Sequence, residues 1–217
     1  MIYDPNIHHR RSVRLRGYDY ATSGAYFITI CAEKRACVFG QVYGETVEPS
    51  AVGQRVIECW NTLPSKYSEV ELDAFVLMPN HMHAVFGLCY PETLADPVGA
   101  GSPRRGLGQV MGFFKYQSTK VINEARGTPG AKLWQRSYFD HVIRSNRALD
   151  AIRQYIDTNP QRWSADAENP DSDATDNVYQ WVRQFDAVGA GSSCPRANTG
   201  NRAPGGENPP LPDRGAR

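Results

Sequence analysis

The alternation of apolar and polar positions predicts a run of strands and helices across the first three quarters of the chain. After Gly24, Ala25-Tyr26-Phe27-Ile28-Thr29-Ile30-Cys31 is rich in aromatic and β-branched residues and reads as a strand. Ala36 to Val42 reads as a short second strand or an irregular extended piece. Ser50 is placed to cap a helix reaching about Asn61, with Val52, Val56, Ile57 and Trp60 near helical spacing. Glu69 to Met78 alternates and then turns apolar, as a strand entering a core does. Pro79-Asn80 interrupts it, and His81 to Leu88 follows as its hairpin partner.

Residues 91–106 hold several Pro and Gly and predict a loop. Gly108 to about Ala125 has helical period, its stripe made by Val110, Phe113, Phe114, Val121 and Ile122. Leu133 to Arg144 reads as extended. Ser145 or Asn146 can cap the next helix, whose core stripe is Leu149, Ile152 and Ile156 with Tyr155 beside it. Pro160 disfavours helical geometry at Asn159 and ends the helix there or just before. From about Ala165 the composition turns to Asp, Asn, Pro, Gly and Ser, which predicts a largely disordered tail. Within it, Val178, Trp181, Val182 and Phe185 have the spacing of a short docked helix over 177–186. The expected organisation is a basic arm over 1–24, a domain over 25–165 and a low-complexity tail over 166–217.

Composition narrows the class. No run of about 18 apolar residues is present and the N-terminus lacks the apolar core of a secretion signal, so a cytoplasmic protein with no membrane span is expected. Cys31, Cys37, Cys59, Cys89 and Cys194 are scattered without a CxxC pair and look like reduced thiols. The net charge of +1 hides an uneven distribution. Residues 101–164 carry 11 Lys/Arg against 4 Asp/Glu, whereas residues 1–100 carry 8 against 11. A basic block in a near-neutral chain suits a polyanionic partner, or simply a solvated helix surface.

The candidate chemistry starts from His81-Met82-His83. In a strand, residues i and i+2 share a face, so the two imidazoles project together while Met82 turns away. Such a pair can ligate a divalent metal. On the helix after Ser145, Tyr155 and Asn159 are four apart and share a face, offering a phenol and an amide oxygen. If that face meets the strand, the set suits phosphodiester cleavage by a tyrosine, with a metal polarising the phosphate. No GxxxxGK[ST] phosphate loop is present, and rejoining through a phosphotyrosine needs no nucleotide cofactor. The bland readings are a structural HxH, a packing tyrosine and a helix-ending asparagine. A metallohydrolase of small substrates is a further alternative.

Taken together, these pieces resemble the REP-associated tyrosine transposases, within the single-tyrosine HUH transposase superfamily. The resemblance rests on Val76-Leu77-Met78-Pro79-Asn80-His81-Met82-His83, on Arg11 to Leu15, Gly17 to Tyr20 and Gly24 to Thr29, on Trp134 to Arg144, and on Tyr155-Ile156-Asp157-Thr158-Asn159-Pro160. It covers roughly residues 8–165. It implies an α+β fold of ferredoxin-like or RRM-like kind, a central antiparallel sheet with helices on one side. It also implies cleavage and joining of single-stranded DNA beside hairpins, with Mg²⁺ or Mn²⁺, by a monomer or homodimer. A domesticated hairpin-DNA-binding protein without cleavage is the alternative. The family's histidines carry over to His81 and His83, its nucleophile to Tyr155, and its third ligand to Asn159, where related transposases usually have glutamine. Tyr138 is the competing nucleophile, set aside because it lies in the Trp-Gln segment. His141 reads as structural or DNA-contacting. The basic block then has a use: Arg104, Arg105, Lys115, Lys120, Arg136 and Arg144 are phosphate-contact candidates, with Arg126, Lys132 and Arg147 beside them. Arg10, Arg11, Arg14 and Arg16 would form a DNA-holding arm, and Tyr116 or Tyr138 could stack on unpaired bases.

Overall fold

The computed structural model describes residues 19–20, 22–90, 105–172 and 178–185. In chain order the elements are β1 (Gly24–Cys31), a 3-10 turn at Glu33–Arg35, β2 (Gly40–Tyr43), β3 (Thr46–Pro49), α1 (Ala51–Asn61), the short α2 (Leu63–Lys66), β4 (Val70–Leu77), β5 (His81–Leu88), α3 (Leu107–Arg126), β6 (Phe139–Ile143), α4 (Asn146–Thr158), a 3-10 segment at Pro160–Ala165, and α5 (Val178–Arg183). The fold is α+β, as expected. Four strands form one antiparallel sheet in the order β4-β5-β1-β6, and β2 and β3 form a separate hairpin. The expected extended piece at 36–42 becomes strand only from Gly40, because Lys34 and Arg35 turn the chain sharply at φ 57° and 54°.

β1 lies inside the sheet and all eight of its residues are buried. Its register with β5 runs from Gly24 opposite Leu88 to Cys31 opposite His81. Both strands are apolar at successive positions, so each face of the sheet needs a cover. On one face Tyr26, Ile28, Ile30, Met82, Ala84 and Phe86 pack under α1 and α3, with Trp60 edge-on to Phe86 and Phe114 at 5.8 and 5.3 Å. On the other, Phe27 and Val85 pack under Leu149, Ile152 and Ile156 of α4 and Val182 of α5. Helices therefore cover both faces, where the family resemblance implied one. The reason is visible in β1, whose odd and even residues are equally apolar.

The local signals explain the helix ends. Ser50 Oγ accepts from Gly53 N at 3.1 Å and its hydroxyl donates to Val38 O at 2.7 Å, which starts α1. Gly127 ends α3 in the left-handed region at φ 64°. Gly53 itself is a close-approach position, since a Cβ there would lie 1.9 Å from Phe39 O. Gly53→Ala must push α1 off that carbonyl, and we expect a loss of about 1–3 kcal/mol in urea unfolding.

The expected tail boundary at 166 falls inside folded chain, since Asp166, Glu168 and Asn169 are buried against the domain. The short helix expected over 177–186 is present as α5. Residues 1–18 of the basic arm and residues 186–217 lie outside the described residues. Among the described residues no helix is long and apolar enough to cross a membrane.

Candidate active site

The turn joining β4 to β5 sets the first histidine. Met78 N donates to His81 O at 2.8 Å, closing the turn over Pro79-Asn80. Asn80 is fully buried, and its Nδ2 donates to Glu168 O at 2.6 Å and to Arg35 O at 3.3 Å. That leaves Asn80 Oδ1 facing His81 Nδ1 at 2.8 Å. An amide oxygen only accepts, so this contact assigns the His81 proton to Nδ1 and a lone pair to Nε2. His83 Nδ1 lies 2.8 Å from the Thr29 hydroxyl, which can donate or accept and so suits either tautomer.

The two Nε2 atoms stand 3.1 Å apart. Two nitrogens each about 2.1 Å from one ion and at right angles would be about 3.0 Å apart. Burial, with a smaller contribution from Arg35, pushes His81 down to about 3. Burial and then His81 hold His83 well below the usual histidine range, against the opposing pull of Asp166. Both rings are therefore neutral near pH 7, the form that ligates metal.

A carboxylate completes the group. Asp166 follows the 3-10 segment that Pro160 begins, and its Oδ2 lies 3.8 Å from His81 Nε2. Glu168 N donates to Asp166 Oδ1 at 2.7 Å, and Asn159 Nδ2 donates to Asp166 Oδ2 at 3.3 Å. The ligand atoms of His81, His83 and Asp166 all lie within 4.8 Å of one another, so the three can hold a metal ion. Asn159 is 1% exposed, and its Oδ1 has no hydrogen-bond partner among the described residues. A buried oxygen without a donor costs roughly 1–3 kcal/mol, and a cation beside it would remove that cost. The residues present thus fit a divalent ion: two neutral imidazoles, one carboxylate and one spare amide oxygen.

Tyr155 projects from α4 toward the same group. Its hydroxyl is 3.4 Å from His83 Nε2, although 72 residues separate them. The ring stands edge-on to His83 at 5.3 Å and to Phe27 at 6.4 Å. Trp181 of α5 lies 5.4 Å away, and the Arg162 guanidinium sits 5.6 Å from the ring centre. Ser145 Oγ caps α4 by accepting from Ala148 N at 3.2 Å. Further along, Arg153 makes a two-pronged ion pair with Asp73, Nε to Oδ1 at 2.8 Å, where β4 slips register between Leu72 and Phe75. Arg153 also reaches Asp150 at 3.2 Å.

The face of α4 that carries Tyr155 and Asn159 meets the strand that carries His81 and His83, the condition on which the sequence reading of these four residues depended. Sequence reasoning missed Asp166, Asn80 and Glu168. Glu168 accepts from Cys31 Sγ at 3.4 Å and pairs with Arg35 Nε at 3.1 Å, which ties the Asp166 segment down. Burial first, then Glu168, drives the Cys31 thiol up to about 12, so it stays protonated. The available signal for Asp166 was an acidic residue shortly after the helix that carries the tyrosine, just past the 3-10 segment over Pro160–Ala165; the polar composition around it hid that signal. Tyr138 packs with the opposite core, its ring 5.9 Å from the Lys115 ammonium. His141 is buried on β6 opposite Phe27, outside the metal-holding group.

The basic candidates scatter more widely. Arg10, Arg11, Arg14, Arg16 and Arg104 lie outside the described residues. Arg105 pairs with Glu69 at 3.7 Å and lies over Tyr67. The Lys115 amine donates to Gln135 O at 2.6 Å and Arg136 O at 2.9 Å, and burial lowers its pKa. Lys120 is exposed and 4.0 Å from Glu124, Arg136 is exposed, and Arg144 is half-buried after β6.

No family model matches the chain. A protein of Haemophilus influenzae, described as uncharacterized, is 33% identical over 174 residues, covering 76% of this chain and 95% of that one. In structure the chain is similar to a REP-associated tyrosine transposase bound to a REP hairpin, with a TM-score of 0.47 and 20% identity over 69% of this chain and 73% of that one. It is also similar to a candidate transposase from Deinococcus radiodurans, with a TM-score of 0.40 and 19% identity over 68% of this chain and 96% of that one.

Proposed function

The chain belongs to one family with the Haemophilus influenzae protein, and we propose that it is a metal-dependent endonuclease and strand transferase of single-stranded DNA. In this reading it is a REP-associated tyrosine transposase, and Tyr155 is its nucleophile. The observation that carries the reading is the Tyr155 hydroxyl 3.4 Å from the nitrogen of a buried histidine pair that has a carboxylate beside it.

The roles follow from the chemistry of each group. His81, His83 and Asp166 hold the ion, with Asn159 Oδ1 as a further donor. Bound there, Mg²⁺ or Mn²⁺ supplies positive charge to a phosphate oxygen and offsets the charge that builds during displacement. Two neutral imidazoles and one carboxylate carry a single negative charge, so a divalent ion leaves the site net positive toward a phosphodiester. Asn80 keeps the His81 lone pair on Nε2. Tyr155 Oη attacks the scissile phosphorus, and the bond from phosphorus to the departing sugar oxygen breaks. The phenolic proton passes to water, and the sugar oxygen takes one up as a free hydroxyl. Reversal by a sugar hydroxyl releases Tyr155 and joins the strand without ATP. Arg162, 5.6 Å from the centre of the Tyr155 ring, puts a positive charge beside the nucleophile.

The test is an SDS-resistant protein–DNA adduct on a labelled hairpin with single-stranded flanks. We expect adduct with Mn²⁺ and none with EDTA. Salt-sensitive hairpin binding with no adduct under any divalent ion would sink the nuclease reading and favour a DNA-binding protein that does not cut.

A further inference from the structure

On the sheet face opposite Tyr155, a groove of about 940 Å³ runs between α3 and the loop over 127–136. We propose that it is a subsite for one unpaired nucleotide of single-stranded DNA: the base stacks on Tyr116, and the phosphate faces Lys132 and Arg136. The inference rests on the DNA-processing reading above and adds to it a second contact remote from the tyrosine.

The groove has a cationic rim with one exposed aromatic ring at its lip. Leu133 and Trp134 back it from the core: the Trp134 ring packs against Phe39 and Phe114 at 4.8 and 5.7 Å, and its indole N–H donates to Ser118 Oγ at 2.9 Å, which fixes the wall of the groove. Tyr116 is 63% exposed, although the other side of α3 is packed into the core. Its ring stands in water at the lip of the groove, open to a stacking partner. Lys115, Lys120, Lys132 and Arg136 line the groove against only Glu33 and Glu124. Lys115 is committed to two carbonyls and Lys120 is near Glu124, but neither Lys132 nor Arg136 has an acidic partner among the described residues. Charge complementarity therefore favours an anion at that end, beside an exposed ring on which a base can stack.

The groove wall is tied to the strand next to the candidate active site. Gln135 N donates to Cys31 O at 3.0 Å, and Cys31 is the register partner of His81.

The experiment is fluorescence anisotropy with the full chain and two labelled DNAs. One is a hairpin with a roughly ten-nucleotide oligothymidine flank and the other is the same hairpin with blunt ends. We expect Tyr116→Ala to weaken binding of the flanked hairpin about tenfold and to change blunt-hairpin binding by less than about twofold, with Tyr116→Trp retaining wild-type affinity. Lys132→Gln combined with Arg136→Gln should show the same selective loss. If Tyr116→Ala is silent, or weakens both DNAs equally, the groove is not a nucleotide subsite. A wild-type chain that binds neither DNA removes the functional reading and this one with it. Wild-type binding with a silent Tyr116→Ala removes only the groove.

Discussion

Tyr155→Phe is expected to reduce the covalent protein–DNA adduct to background, a loss of at least about a thousandfold, while hairpin affinity changes less than about threefold. The substitution removes one oxygen and leaves the ring. Its packing with Phe27, His83 and Trp181 is aromatic and survives. What goes with the hydroxyl is its approach to His83 Nε2 at 3.4 Å, worth about 1 kcal/mol at most to stability. A folded, DNA-binding and adduct-free variant would separate chemistry from binding. Adduct formation by Tyr155→Phe would refute the assignment and turn attention to Tyr138, on the other face of the sheet. Unchanged hydrolysis of small phosphodiesters by the variant would instead favour a metallohydrolase.

The second large effect concerns the third ligand. Asp166→Asn keeps an oxygen for Glu168 N but replaces the carboxylate charge with an amide beside His81. We expect Mn²⁺ affinity, measured by calorimetry, to fall by about a hundredfold or more, with adduct formation falling in step. Asn159→Ala should cost less, about tenfold, because a neutral amide oxygen attracts a divalent ion less than a carboxylate does. The reverse ranking, with Asp166→Asn nearly silent and Asn159→Ala severe, would make Asn159 the principal third ligand in place of Asp166.

The difference between those two residues marks where sequence reasoning succeeds. His81 and His83 were legible because strand alternation fixes their shared face whatever lies around them. Tyr155 and Asn159 were legible because helical spacing fixes theirs, and Ser145 and Pro160 bound that helix at the cap and at the turn. Asp166 obeys neither period. It is held by the Glu168 N–H and the Asn159 amide, contacts that a stretch of Asp, Glu, Asn and Pro does not announce. The sheet order was equally hidden, since β1 sits between β5 and β6, strands far from it in sequence. The two-sided helix cover was there to be read in β1, where neighbouring residues such as Phe27 and Ile28 are both apolar and both buried.

The Arg153–Asp73 pair has a bearing on ionic strength. Phosphate contacts weaken steeply as salt rises, because each one releases a counterion on binding. Exposed ion pairs weaken with them, but a two-pronged pair that is 28% and 18% exposed is screened much less. Arg153 is two residues from Tyr155, so the helix stays fastened to its strand at salt concentrations that strip DNA away. A salt titration of adduct yield therefore reads the DNA grip alone. Adding enough DNA to restore occupancy at high salt should restore the rate of the chemical step in full.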